Sequence, residues 1–173
     1  MSLLVDLLLL ICLFCIAVQD FRLRKFFWFF IPALFLTCFL RGSFSIGIEQ
    51  TLNYILLNSF FFLAQLLLLF MYFAIKNQRL TNVINTSLGI GDILFIIAIS
   101  PAFSPLSFIL FYFIALLAAI IVHLMLHKTN FVEQIPLAGI LSICLFFVIV
   151  LQRLIVGFST YYDYRLFNNF FHD

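Results

Sequence analysis

The feature that most constrains this chain is a series of apolar segments, each separated from the next by polar or charged residues. The hydrocarbon core of a bilayer is roughly 30 Å thick, and most of these segments approach the length that crosses it as a helix. Backbone in lipid must satisfy its own hydrogen bonds, which favours helices. Runs such as FFFLAQLLLLFMYF do not alternate as the strands of a membrane barrel would. We predict six spans, at about 3–19, 26–41, 52–75, 93–103, 104–126 and 135–152.

The composition supports the same fold class, because 66% of the residues are hydrophobic and 9% are charged. We predict an all-α polytopic membrane helix bundle, with one membrane domain over 1–152 and an interfacial aromatic tail over 153–173. The first basic residue, Arg22, follows the first apolar segment, so we expect a spanning helix there and not a cleaved signal peptide. The chain has no basic run that would suggest a nucleic-acid partner.

The positions of Lys and Arg predict the orientation, because these residues accumulate in cytoplasmic loops. With the N-terminus outside, six basic residues face the cytoplasm and three face the opposite side. The cytoplasmic set is Arg22, Arg24, Lys25, Lys76, Arg79 and Lys128, and the other set is Arg41, Arg153 and Arg165. We therefore expect both termini outside, with the joints at 20–25, 76–92 and 127–134 on the cytoplasmic face.

Two aspartates are expected at that face. Asp20 ends the first predicted span, and Asp92 opens the fourth. The fourth span covers roughly 16 Å as a helix, so its Asp92 end is expected to lie below the membrane surface. Taken singly, each aspartate has a simpler interpretation. Asp92 can cap its own helix, and Asp20 can pair with Arg22 or Arg24 in the loop.

Together the two carboxylates suggest a specific chemistry. Two carboxylates held close in a partly dehydrated site cannot both ionise cheaply, so one keeps a proton near neutral pH. The ionised group can act as general base on a water while the protonated group polarises a peptide carbonyl. This is aspartyl protease chemistry, and we expect it to need no metal or other cofactor. Gly89 and Gly91 give an extended substrate backbone room to approach Asp92.

Three segments resemble a known family. GIGD (89–92) resembles the G-x-G-D motif of intramembrane aspartyl proteases, a group that includes presenilin, signal peptide peptidase and the type IV prepilin peptidases. DFRLR (20–24) is similar to the D-x-R-x-R stretch after the first span of the prepilin peptidases, although Phe-Phe-Trp replaces their Ile-Pro-Asn. The pattern at Ile135, Pro136 and Gly139 resembles the start of their last span.

The resemblance implies that Asp20 and Asp92 are catalytic and that the substrates are pilin-like precursors, cut where a charged leader meets their hydrophobic helix. It implies a bacterial inner membrane location. Arg22 and Arg24 could orient an acidic residue of the substrate, although solvated cytoplasmic residues are the simpler account. The joint after Asp20 is too short for the C-x-x-C insertion of long members, so we expect no methyltransferase activity. Leu94 replaces the basic residue that many members carry.

Two other classes of function stay open from the sequence. His123 and His127 lie four residues apart on the fifth span, and with Glu133 and an aspartate they could form the metal site of a transporter. The simpler interpretation places the histidine pair at an interfacial helix end. The second alternative is a non-catalytic scaffold subunit of a secretion or pilus assembly. Cys12 and Cys15 have metal-like spacing without a second pair, so we interpret them as packing residues.

Overall fold

The computed structural model of the protein describes residues 2–23, 27–77, 89–127, 137–155 and 159–161. Within these ranges the chain forms six α-helices and no strand, which confirms the predicted all-α class. The helices are α1 (Ser2–Leu23), α2 (Phe30–Ile46), α3 (Ile48–Asn77), α4 (Ile90–Ile99), α5 (Pro105–His127) and α6 (Leu137–Leu154).

Four of these helices are long and apolar enough to cross a membrane. Their spans are Leu3–Arg22 in α1, Ile48–Lys76 in α3, Pro105–Met125 in α5 and Leu137–Leu154 in α6. The other two are shorter, with 17 residues in α2 and 10 in α4. At 1.5 Å per residue, α4 covers about 15 Å, half the thickness of the hydrocarbon core. The protein is thus a helical membrane bundle that contains one half-length helix.

The antiparallel contact between α1 and α6 is the most extensive one between the described helices. Buried side chains recur along it every three or four residues, which is the spacing of one helix face. They are Leu9, Leu13 and Ile16 on α1, and Leu141, Leu145 and Ile149 on α6. The helix α2 packs against both α1 and α4, so it connects the two helices that carry Asp20 and Asp92.

The helix α4 ends inside the bundle, where a side chain from α3 binds carbonyl groups of the segment that follows it. A 3₁₀ turn at Ser100–Ala102 follows α4, and α5 begins at Pro105. Asn58 of α3 is 1% exposed, and its amide donates hydrogen bonds to the carbonyls of Ser100 at 2.9 Å and Phe103 at 3.0 Å. Because lipid offers no hydrogen-bond partners, a helix can stop within a membrane bundle only where protein groups bind the backbone groups at its end.

Part of the predicted interfacial tail folds back onto this turn. Thr160 and Tyr161 are buried. The Thr160 carbonyl accepts a hydrogen bond from the Ser104 N–H at 2.9 Å, and the Tyr161 hydroxyl donates one to the Pro101 carbonyl at 3.0 Å. Thr160 and Tyr161 therefore belong to the packed bundle, because buried backbone groups at the break after α4 need partners. The residues after Tyr161 lie outside the described ranges.

Several helix boundaries differ from the predicted ones. The helix α1 continues past Asp20 to Leu23, and α4 begins at Ile90, so that Asp92 is its third residue. The helix α6 runs to Leu154, which places the predicted start of the tail within a helix. Hydropathy predicts only the part of a helix that lies in apolar surroundings. Backbone hydrogen bonding continues into polar residues, so the apolar runs do not predict these helix ends.

Candidate active site

The carboxylate of Asp20 lies at the N-terminus of α6. Asp20 is in the last turn of α1 and is 6% exposed. Its Oδ2 accepts a hydrogen bond from the backbone N–H of Gly139 at 2.6 Å. Gly139 is the third residue of α6, where backbone N–H groups have no partner within their own helix. Asp20 thus satisfies a free donor of a different helix, 119 residues further along the chain.

Gly139 permits this contact because it has no side chain. A Cβ at this position would lie 3.0 Å from Oδ2 of Asp20 and 3.0 Å from Cε2 of Phe21. Interiors are packed closely enough that such an addition must displace its neighbours. The start of α6 can therefore approach the last turn of α1 this closely only with glycine at position 139.

The carboxylate of Asp92 reaches the same helix terminus from α4. Its Oδ1 accepts a hydrogen bond from the backbone N–H of Ala138 at 3.0 Å. The N-cap of α4 is Gly89, so Asp92 is not the N-cap residue that its simpler interpretation requires. It bonds back to the Gly89 backbone from the first turn, as an acidic residue in a capping box does. Asp92 therefore serves its own helix terminus and that of α6 together.

The two carboxylates lie side by side, because Ala138 and Gly139 are adjacent residues. Their charges interact directly with each other. The free N–H groups and the positive end of the α6 dipole favour negative charge at this point. Carboxylates coupled in this way titrate as a pair. The arrangement is suited to acid–base chemistry, since the pair can hold one proton and still present an ionised oxygen to a water molecule.

Asp20 does not lie in a loop, as its simpler interpretation requires, and it does not pair with Arg22, whereas Arg24 lies outside the described residues. Asp20 is helical and buried. The ion pairs found among the described residues are those of Asp6 with Arg41 and Arg153, and Arg22 is not in one. On a helix, residues two apart do not face each other, which explains why Asp20 and Arg22 do not pair.

The remaining predicted site residues are only partly described. Gly89 and Gly91 flank Ile90 at the start of α4, beside Asp92. Gly89 is exposed, and a Cβ there would lie 3.2 Å from Oδ2 of Asp92. Arg22 is exposed in the last turn of α1. Three further predicted residues lie outside the described ranges, namely Arg24, Ile135 and Pro136.

Apolar side chains are exposed next to the two aspartates. Phe21, which follows Asp20, is 43% exposed. Ile90 and Leu94, on either side of Asp92 in α4, are 58% and 42% exposed. In a membrane such side chains face lipid or an apolar partner. The carboxylate pair is therefore bordered by apolar surface.

The predicted metal alternative is described only in part. Among the described residues, no three His, Cys, Asp or Glu side chains come together as a metal site would require. The side chain of His127 and the whole of Glu133 lie outside what the structure describes, so this alternative stays a prediction. Cys12 is buried, and its thiol points to the Phe30 carbonyl at 3.7 Å, as expected of a packing residue.

Sequence reasoning missed the backbone donors that hold the site together. The N–H of Ala138 binds Asp92, but a backbone group leaves no mark in a residue pattern. The available signal was the small pair Ala138-Gly139 near the start of a predicted span, because small residues let another element approach closely. That signal does not say which element approaches.

No family model, curated protein or solved structure matches this chain. Consequently no relative supplies a function or a residue assignment. The chemistry of the site follows from the geometry of Asp20, Asp92 and the start of α6.

Proposed function

We propose that the protein is a membrane-embedded aspartyl endopeptidase, in which Asp20 and Asp92 activate a water molecule to cleave a peptide bond. The observation that carries this proposal is that both carboxylates, from helices distant in the chain, meet at the adjacent N–H groups of Gly139 and Ala138. One acidic side chain is sufficient to cap a helix, so capping alone does not account for the second.

In the proposed reaction, one carboxylate is ionised and the other carries a proton. The ionised group takes a proton from water as the water oxygen attacks the peptide carbonyl carbon, and the protonated group gives its proton to the carbonyl oxygen. The leaving nitrogen then takes a proton from the carboxyl group that the water protonated as the C–N bond breaks, and the other carboxylate takes a proton from a hydroxyl of the tetrahedral intermediate, which restores the singly protonated pair. One water is consumed, and the products are a carboxyl and an amino terminus. The N–H groups of Ala138 and Gly139 hold both carboxylates in position throughout.

The surroundings suit a substrate with an apolar segment next to the cleaved bond. Phe21, Ile90 and Leu94 offer exposed apolar surface beside the aspartates. The resemblance of the GIGD and DFRLR segments to prepilin peptidases supports pilin-like precursors as substrates and the cytoplasmic face of a bacterial inner membrane as the location. The exposed guanidinium of Arg22 would favour an acidic substrate residue near the cleaved bond.

The proposed activity is peptide cleavage without N-methylation of the product. Only six residues, 24–29, separate α1 from α2. By resemblance, the methyltransferase activity of long prepilin peptidases goes with an inserted domain bearing two C-x-x-C pairs. This joint has no room for such a domain.

The experiment that tests the proposal is cleavage of a pilin-like precursor co-expressed with this chain in cells lacking another prepilin peptidase. The variants are Asp20→Asn and Asp92→Asn, each of which removes one ionisable oxygen and keeps the side-chain shape. Glu49→Gln is the matched control, because it makes the same chemical change at an exposed carboxylate on α3. Precursor and product are separated on a gel, and expression of each variant is measured in the membrane fraction.

We expect wild type and Glu49→Gln to release the leader, and both aspartate variants to leave the precursor intact. Wild-type cleavage by either aspartate variant would exclude the two-carboxylate mechanism. If wild type cleaves none of several precursors, a scaffold or transport role is favoured. If cleavage is lost with a chelator and in His123→Ala, the metal alternative is favoured.

A further inference from the structure

A second polar cluster lies at the opposite end of the contact between α1 and α6. Asp6 of α1 is 6% exposed. Its Oδ1 accepts a hydrogen bond from Nε of Arg41 in α2 at 2.7 Å, and its Oδ2 is paired with the guanidinium of Arg153 in α6. Arg41 also donates to the side-chain carbonyl of Gln152. A single carboxylate therefore joins three helices.

This cluster and the aspartate pair share one helix register. Asp6 and Asp20 lie fourteen residues apart on α1, and their partners Arg153 and Gly139 lie fourteen residues apart on α6. Fourteen residues are two heptads, the spacing at which packed helices present the same face to each other. The two contacts are about 21 Å apart along the helix. They mark the two ends of one continuous helix pair.

Between these ends, the described interface is mainly Leu and Ile, which gives little preference for one register over another. Lipid chains are as apolar as these side chains, so apolar packing in a membrane lacks the driving force that it has in water. A slip of one turn moves one helix by about 5.4 Å along the other. That slip would separate the carboxylate of Asp6 from Arg153 and leave it with Arg41 alone, and a buried carboxylate that loses a charged partner in apolar surroundings is destabilised.

We infer that Asp6, together with Arg41 and Arg153, is a positioning residue that sets the register of α1 against α6 and thereby places Asp20 at the Gly139 N–H. Specifying register is the best-attested role of buried polar pairs. The consequence for catalysis rests on the proposed peptidase function. The register itself does not, because it can be measured without substrate.

The register is tested by disulfide cross-linking of the full chain in its membrane. The four native cysteines are replaced by alanine, and one cysteine is placed at Ala17 of α1. Ser142 of α6 is its partner in the observed register, since both positions are buried and lie three residues from Asp20 and Gly139 respectively. Ala138 and Phe146 are the partners in registers shifted by one turn. Each cysteine pair is oxidised with and without Asp6→Asn, with Glu49→Gln as the control for loss of an exposed carboxylate.

With Asp6 present, and in Glu49→Gln, we expect the 17–142 disulfide to form in preference to the two shifted pairs. In Asp6→Asn we expect the yield of the 17–142 disulfide to fall several-fold and the yield of one of the two shifted disulfides, 17–138 or 17–146, to rise. Asp6→Asn leaves two arginines unpaired, so a second variant, Asp6→Asn with Arg41→Gln and Arg153→Gln, removes all three charges. If neither variant changes the cross-linking pattern, Asp6 does not set the register and the inference is wrong.

Cleavage kinetics separate this inference from the proposed function. A shifted register should lower kcat several-fold with KM little changed, because the carboxylates are displaced while the apolar substrate surface is kept. Asp6→Glu, which keeps the charge, should recover both the 17–142 disulfide and kcat, whereas a purely volume-filling role would favour Asn over Glu. A shifted cross-linking pattern in a chain that cleaves no precursor would support the register role and count against the peptidase. An unchanged cross-linking pattern in a chain that cleaves the precursor would support the peptidase and count against the register role.

Discussion

Asp20 and Asp92, which are 72 residues apart in the chain, accept hydrogen bonds from the adjacent backbone N–H groups of Gly139 and Ala138. The start of α6 therefore organises the site, since its free donors hold both carboxylates. The carboxylates lie where the helix dipole favours negative charge. They are also close enough for an electrostatic interaction between them. A terminus that binds two acids from two different helices has more acceptors than helix capping requires, since one acidic side chain is sufficient to cap a helix.

Gly139→Ala is expected to lower peptide cleavage without unfolding the bundle. The added Cβ would lie 3.0 Å from Oδ2 of Asp20, so the carboxylate or the start of α6 must move by a few tenths of an ångström. Misplacement of a catalytic group by about 1 Å can cost about a hundredfold in rate, so a smaller shift should cost about tenfold. Cleavage rate and thermal unfolding of the purified chain are measured together.

The control for this prediction is the double variant Phe21→Leu, Gly139→Ala. Cε2 of Phe21 lies as close to the added Cβ as the carboxylate does, and leucine at 21 has no atom in the place of Cε2. We expect partial recovery of cleavage in the double variant. Wild-type activity in Gly139→Ala alone would show that the 2.6 Å contact does not matter for catalysis.

How far the candidate site could be predicted from the sequence depends on the residue. Asp20 and Asp92 could be assigned to one end of the bundle from the order of the apolar runs and the positions of Lys and Arg. Their meeting at the start of α6 could not be predicted. The two carboxylates bind backbone N–H groups there, and every residue except proline carries such a group. Asp6 is one charge within a Leu-rich run, and the sequence does not tell whether such a charge meets Arg41, Arg153 or water.

The fold was predictable to the level of class and helix order, because apolar runs in lipid leave helices as the stable choice. The short apolar run predicts a half-length α4. It does not predict the contacts of Asn58 and Tyr161 with the turn after α4, because both residues lie more than 40 positions away in the chain and neither is part of a local pattern.

Asn58→Leu is expected to destabilise the bundle by about 1–3 kcal/mol. Leucine has nearly the same volume but donates no hydrogen bond, so the carbonyls of Ser100 and Phe103 would be left without the Asn58 donor in a buried region. Unfolding in detergent by heat or by added denaturing surfactant measures the change. The matched control is Asn53→Leu, at an exposed position on the same helix, where we expect little effect. Equal effects at the two positions would contradict the assigned role of Asn58.

Membrane orientation is expected to place both aspartates on the cytoplasmic side. In a cysteine-free background, a cysteine at exposed Phe27, between α1 and α2, should react with an impermeant maleimide only after the cells are opened. A cysteine at exposed Ser45, near the end of α2, should react from outside in intact cells. The opposite pattern would reverse the predicted topology and move the site to the outer face.

The dependence of cleavage on pH should be bell-shaped if Asp20 and Asp92 share a single proton in the active form. At low pH both carboxylates are protonated and no general base is left, whereas at high pH both are ionised and no acid can assist the carbonyl oxygen. The two limbs report macroscopic pKa values that belong to the pair and not to one residue. The measurement is kcat/KM for the purified chain against pH, with Glu49→Gln as a control that should trace the wild-type curve. A profile that rises once with pH and then stays level at high pH would mean that an ionised pair is active, and the shared-proton mechanism would then be wrong.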